Sequence, residues 1–151
     1  MTARLRRATA TDLDAIDTLE QVTFPTDAWS RQMLAEELAS PHGYYLVALD
    51  DGDAVIGYAG LRAPHGATDA DVQTIAVSAE RRRQGIGAAL LDALLTEART
   101  RGVRDVFLEV RADNPGAESL YASRGFERIG IRPRYYQPDD VDAVIMTAVL
   151  S

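Results

Sequence analysis

The reading of the fold turns on Asp71-Val72-Gln73-Thr74-Ile75-Ala76-Val77, then Ser78-Ala79-Glu80-Arg81-Arg82-Arg83, then Gln84-Gly85-Ile86-Gly87-Ala88-Ala89-Leu90-Leu91. The first segment is apolar and partly β-branched, and predicts a strand. The last predicts a helix, roughly Gly85 to Arg101. Its residues Ile86, Leu90, Leu91, Leu94, Leu95 and Ala98 form one stripe at helical spacing. Arg99 and Arg101 suit the negative end of that helix, and Gly102 can close it. Between strand and helix the chain turns through two glycines, just after three arginines. The first N–H groups of a helix lack internal partners and carry partial positive charge. Glycine lets such a backbone approach a bulky phosphate. Two plainer readings compete: a tight turn beside a solvated basic face, and a dinucleotide fingerprint. The fingerprint lacks its third glycine, since Leu90 stands there.

Outward from this corner the chain alternates short elements. Arg4–Ala8 reads as a strand, and Thr11 as the cap of a helix carrying Leu13, Ile16, Leu19 and Glu20, which ends before Pro25. Ser30 caps a second helix with Met33, Leu34 and Leu38. Tyr44–Leu49 and Ala54–Leu61 flank the hairpin signal Asp51-Gly52. After the long helix come a buried-type strand Val106–Val110 and a short helix Asn114–Ser123. Strands Phe126–Ile131 and Val141–Leu150 close the chain. The order β-α-α-β-β-β-α-β-α-β-β implies a mixed α+β sheet, with antiparallel hairpins first and a parallel crossover around the long helix. A length of 151 residues fits one domain, 1–151.

Composition removes several classes. The chain has no cysteine, and all 16 of its Lys+Arg residues are arginine. Disulfide frameworks, thiolate metal sites, a Walker lysine and Schiff-base chemistry are excluded. The two histidines, His42 and His65, form no His-x-x-x-His pair, so no metal is expected. A net charge of −7 argues against a general nucleic-acid partner. The polar start and the absence of a long apolar segment predict no membrane partner and a cytoplasmic protein.

Arg82-Arg83-Gln84-Gly85-Ile86-Gly87 resembles the Arg/Gln-x-x-Gly-x-Gly/Ala signature of the GNAT acetyltransferases, and the element order matches their fold along essentially the whole chain. Leu108-Glu109-Val110-Arg111-Ala112-Asp113-Asn114, Ala117, Leu120-Tyr121 and Gly125-Phe126 are similar to the RimI branch, the N-terminal alanine acetyltransferases. So are Phe24-Pro25, Ala28-Trp29-Ser30, Arg132-x-Arg134-Tyr135-Tyr136 and Asp142-Ala143-Val144-Ile145-Met146. The Pro115-Gly116 pair departs from the small non-proline residues usual there.

The resemblance implies acetyl-CoA as co-substrate. Its pantetheine would pair with the backbone of Ile75, Ala76 and Val77. Its pyrophosphate would rest on Arg82, Arg83, Gln84, Gly85, Ile86, Gly87 and Ala88, with Asn114 and Tyr121 beside the arm. Glu109 would act as general base and Tyr121 as general acid; the bland readings are a solvated or Arg111-paired carboxylate and a core tyrosine. Asn114-Pro115 also reads as an ordinary helix start. With no cysteine, lysine or histidine in the motif to carry an acetyl group, direct attack of an amine on the thioester follows. The acceptor implied is a protein N-terminus, in this branch the N-terminal alanine of a small-subunit ribosomal protein. It would enter between Phe24–Trp29 and the loop Arg132–Asp142, meeting Phe24, Trp29, Tyr135 and Tyr136. Tyr135 and Tyr136, as strand neighbours, are expected to face opposite ways. The carboxylates Asp139, Asp140 and Asp142 suggest a basic acceptor. The alternatives are a GNAT enzyme for a small-molecule amine and a non-catalytic acyl-CoA-binding module.

Overall fold

The computed structural model describes residues 3–150; Met1, Thr2 and Ser151, the ends of the expected 1–151 unit, lie outside it. Seven strands and four helices occur in the expected order: β1 (Arg4–Arg7), α1 (Leu13–Thr23), α2 (Arg31–Ala39), β2 (Gly43–Leu49), β3 (Val55–Arg62), β4 (Asp69–Val77), α3 (Ile86–Thr100), β5 (Asp105–Arg111), α4 (Pro115–Ser123), β6 (Glu127–Tyr136) and β7 (Val141–Val149). They form one sheet in the order β1-β2-β3-β4-β5-β7-β6.

Local chemistry sets most boundaries. Ser30 accepts the Met33 N–H at 3.1 Å, and Asn114 accepts that of Ala117 at 3.2 Å, so both caps hold as expected. Gly102, at φ +83°, ends α3 in the left-handed conformation that glycine adopts without strain. Thr11 does not cap α1. A short turn, Ala10–Asp12, precedes the helix, and Asp12 accepts the Thr9 N–H at 2.8 Å while pairing with Arg6. Asp12 thus completes a capping box with Thr9 on that turn, and the Thr11 hydroxyl bonds the Thr9 hydroxyl at 2.7 Å instead.

The sheet is buried on both faces over its first half. Leu46, Ala48, Ala59 and Leu61 pack with the α3 stripe Ile86, Leu90, Leu91, Leu94, Leu95 and Ala98, all six of which are buried as expected. Their neighbours Tyr45, Val47, Leu49 and Tyr58 pack on the opposite side with Ile16 of α1 and Leu34 of α2. This double burial explains why β2 and β3 read as nearly unbroken apolar runs. Each fully buried leucine of the α3 stripe contributes roughly 1.5–3 kcal/mol. Strand β6 is an outer edge. It continues from the expected end at Ile131 to Tyr136, through a register break between Arg132 and Tyr136.

One pairing differs from the rest. Among the described residues, β4 and β5 are the only parallel neighbours, and they pair only at Asp69–Asp105, Ala70–Val106 and Asp71–Phe107. β4 then follows β3 to Val77 while β5 follows β7 to Arg111, so the two strands part.

Beneath this fork lies Glu20 of α1, 1% exposed. It accepts the Trp29 N–H at 2.9 Å, the Thr74 hydroxyl at 3.2 Å and the Tyr58 hydroxyl. Burial pushes its pKa up, and these three donors oppose the rise. Glu20→Ala leaves the donors unmatched and is expected to cost about 2–4 kcal/mol of stability. Glu20→Gln, able to accept from Trp29 and donate to the two hydroxyls, is expected to lose less. Because the folded carboxyl has a raised pKa, its contribution is full below the unfolded value near ~4.3 and falls as pH rises through the folded one. Glutamine has no such fall. Denaturant titrations should therefore show the gap between Glu20→Gln and the parent narrowing from acid to neutral pH.

Candidate active site

The fork opens into three adjoining cavities. The largest, about 780 Å3, lies between the α3 start, the α4 start and the end of β4. A second, about 450 Å3, opens between β5, β6, β7 and Trp29. A small one, about 130 Å3, joins them; Glu20, Glu109, Asn114 and Tyr121 are among its lining residues.

The largest cavity has anion-binding features. Gly85 caps α3 at φ +80°, with no side chain to occupy the free N–H groups of the first turn. Ile75, Val77, Arg81, Arg82, Arg83, Ile86, Gly87 and Ala88 line it with Asn114 and Tyr121, whereas Gln84 is not among its lining residues. Arg83 itself holds φ +65°, an uncommon state for a non-glycine residue. Arg82 donates from Nε to the Val77 carbonyl at 3.3 Å. The N–H of Ser78 donates to Ile56 of β3. Strand alternation therefore turns the polar groups of Ile75 and Val77 toward the fork and those of Ala76 toward β3. Ala76, though lining the cavity, is buried in the core on the α1 side.

Glu109 and Tyr121 meet at the small cavity from opposite directions. Glu109 lies on the face of β5 away from the buried Val106, Leu108 and Val110, and its side chain is 32% exposed. Its nearest cation is Arg132, with Nε 3.8 Å from Oε2; Arg111 is engaged elsewhere. Tyr121 of α4 is 9% exposed and packs edge-on against Phe126 at 5.9 Å. Burial pushes its pKa up to about 12, which keeps the phenol protonated at neutral pH. Asn114 spends its side-chain oxygen on the α4 cap.

On the other side, Phe24 lines the large and small cavities, and Trp29 lines the small and the 450 Å3 ones. Tyr135 and Tyr136 do not diverge. The register break in β6, with Arg134 at φ +54°, brings both rings to the 450 Å3 cavity, edge-on at 5.1 Å. The carboxylates of the acidic loop all have partners within the protein. Asp139 accepts from Thr26 and Arg111, Asp140 from Gln137, and Asp142 from the Arg134 N–H. Asp140 and Asp142 hold their own loop, Asp139 ties it to Thr26 and Arg111, and the carboxylates that line the 450 Å3 cavity are Asp71 and Glu109. Glu20 and Arg111 were not singled out from the sequence as part of a site. Among the described residues, no group of three or more His, Cys, Asp or Glu is arranged to hold a metal, and no helix is long and apolar enough to cross a membrane.

Comparison with known proteins agrees with this geometry. The Acetyltransferase (GNAT) family profile matches residues 13–126. The N-alpha-acetyltransferase RimI of Mycobacterium tuberculosis is 44% identical over 124 residues, covering 80% of this chain and 75% of that one. An uncharacterized protein of Mycobacterium leprae is 41% identical over 91% of this chain, which spans only 38% of that longer protein. The crystal structure of the ribosomal-protein-S18-alanine N-acetyltransferase from Escherichia coli superposes with a TM-score of 0.89 at 32% identity, covering 99% of this chain and 95% of that one. By profile, sequence and fold, the chain belongs to the GNAT acetyltransferase family and is closely related to its RimI branch.

Proposed function

We propose that the chain transfers the acetyl group of acetyl-CoA to the N-terminal α-amine of a protein, with the alanine of a ribosomal protein as acceptor. The observation that carries this reading is the meeting of Glu109 and Tyr121 at the small cavity between two larger ones, one with phosphate-binding features and one lined by Trp29, Tyr135 and Tyr136. The names of the relatives support the choice of acceptor.

Acetyl-CoA fits the larger cavity. The α3 N-terminus and the nearby arginines suit its pyrophosphate, and the fork-facing polar groups of Ile75, with the N–H of Val77, suit the amides of its pantetheine arm, the Val77 carbonyl being taken by Arg82. The acceptor amine approaches from the other cavity and attacks the thioester carbonyl carbon. A C–N bond forms as the carbonyl becomes an oxyanion, and the C–S bond breaks as that oxyanion collapses. Glu109 takes the proton released by the amine, directly or through water. Tyr121 supplies a proton to the departing thiolate, which leaves as a thiol. A backbone N–H at Val77 is suited to the oxyanion. An α-amine has a pKa near ~8, so a useful fraction is neutral at pH 7 before the base acts. Holding thioester and amine together supplies most of the rest.

Incubation with acetyl-CoA and a panel of peptides and small amines should yield N-terminal α-acetyl peptides by mass spectrometry. Products confined to small amines or lysine side chains would overturn the reading. Glu109→Gln and Tyr121→Phe are each expected to lower kcat by about 100-fold or more. Both should leave Tm nearly unchanged, since one side chain is partly exposed and the other keeps its ring. Full activity in both variants would remove these assignments. Gly85→Ala forces a side chain into the left-handed region, at about 1–2 kcal/mol. It should weaken acetyl-CoA binding roughly tenfold by calorimetry, and unchanged affinity would argue against the α3 corner as the pyrophosphate site.

A further inference from the structure

Arg111 ends β5 two residues after Glu109, on the same face of the strand. Its guanidinium meets three aspartates from three separate connections. Asp113, between β5 and α4, accepts from Nε at 2.9 Å and from Nη2 at 3.0 Å. Asp139, between β6 and β7, accepts from Nη2 at 3.1 Å. Asp27, between α1 and α2, lies 3.5 Å from Nη1. The guanidinium also sits over the Tyr136 ring, 5.3 Å from its centre.

Asp139 has a second donor. Its Oδ2, the atom that meets Arg111, also accepts the Thr26 hydroxyl at 2.6 Å. Thr26 and Asp27 are chain neighbours, so Thr26, Asp139, Arg111 and Asp27 form a closed ring joining the α1–α2 and β6–β7 connections. Its position is specific. Asp27 and Arg111 line the small cavity where Glu109 and Tyr121 meet, Thr26 and Asp139 line the largest one, and the two connections reach the 450 Å3 cavity through Trp29 and through Tyr136, over which Arg111 sits.

We propose that this ring is a clasp fixing the distance between the two connections that border the acceptor path, which makes Thr26, Arg111 and Asp139 positioning residues for the incoming amine. The inference rests on the acetyltransferase reading above. Three carboxylates around one guanidinium repel one another when it is removed, so Arg111 holds together groups that would otherwise separate. Hydrogen bonding, first from Asp113, raises the guanidinium pKa further, and the clasp stays charged at working pH. Lysine cannot replace it, because one ammonium does not reproduce a bidentate bond to Asp113 together with a third bond to Asp139.

Thr26 gives the cleanest test, because it is an exposed loop residue that Val or Ser can replace with little change in size. Thr26→Val is expected to raise the KM for an N-terminal acceptor peptide roughly tenfold, the effect of one charge-assisted hydrogen bond, while kcat changes less than about twofold. Thr26→Ser should restore the parent KM. Asp139→Asn added to Thr26→Val should do little more than Asp139→Asn alone, since both act on one ring. Hydrogen exchange provides an activity-independent readout. Thr26→Val should loosen residues 24–29 and 137–140 together. Loosening of one segment alone, additive effects, or a serine variant that behaves like valine would overturn the clasp. If the parent chain acetylates no peptide, the functional reading falls, and the exchange data still decide whether the ring couples the two connections.

Discussion

The parting of β4 from β5 is the constraint on which the site depends. A parallel pair that stops after Asp71–Phe107 leaves backbone polar groups on both strands without sheet partners. Such groups are tolerable only if water or a bound molecule satisfies them. The fork persists because each strand is committed elsewhere, β4 to β3 through Val77 and β5 to β7 through Arg111. The cores on either face then lock those commitments, and Tyr58 and Ala76 cannot shift without disturbing Ile16 and Leu34. A sheet with one gap is the result, and the glycine corner at the α3 start, Glu109 with Tyr121, and the cavity lined by Trp29, Tyr135 and Tyr136 all adjoin that gap.

The electrostatic arrangement follows from the same geometry. Glu20, deepest of the site carboxylates, is matched by neutral donors rather than by a cation. Glu109 has a loose cationic neighbour in Arg132 and keeps about a third of its side chain in solvent. Asp139 and Asp113 are held by Arg111. Of the two carboxylates at the small cavity that lack a tight ion pair, Glu20 is buried and saturated by donors, whereas Glu109 keeps solvent access. Tyr121 differs in that burial raises its pKa and holds the phenol in its protonated form.

What could be read from the sequence was local. The α3 stripe, the caps at Ser30 and Asn114 and the glycine at the α3 start each depend on residues a few positions apart, and they occur as expected. Glu109 and Tyr121 were legible through family motifs, and the structure brings them to one cavity. The misreadings came from longer-range or competing interactions. Tyr135 and Tyr136 were assigned opposite faces because a regular strand demands it, and the break around Arg134 removes that regularity. The pairing of Asp139 within the acidic loop was not legible, because its partners are far away in the chain. Arg111 lies 28 positions from Asp139, and Thr26 lies 113 away. Glu20 looked like one more polar residue on a helix, since no pattern announces that Tyr58 and Thr74 will converge on it.

The edge strand β6 carries a consequence of a different kind. It leaves Ile129 and Ile131 more than half exposed beside unpaired backbone, a combination that invites another chain to add a strand. Arg128, Arg132 and Arg134 punctuate it, Pro133 removes one donor, and the break before Tyr136 bends it out of register. Bulky charged side chains and the missing N–H make this border a poor template for fibrillar stacking. The outermost strand thus carries two exposed isoleucines without presenting the flat, regular margin that favours addition of a further strand.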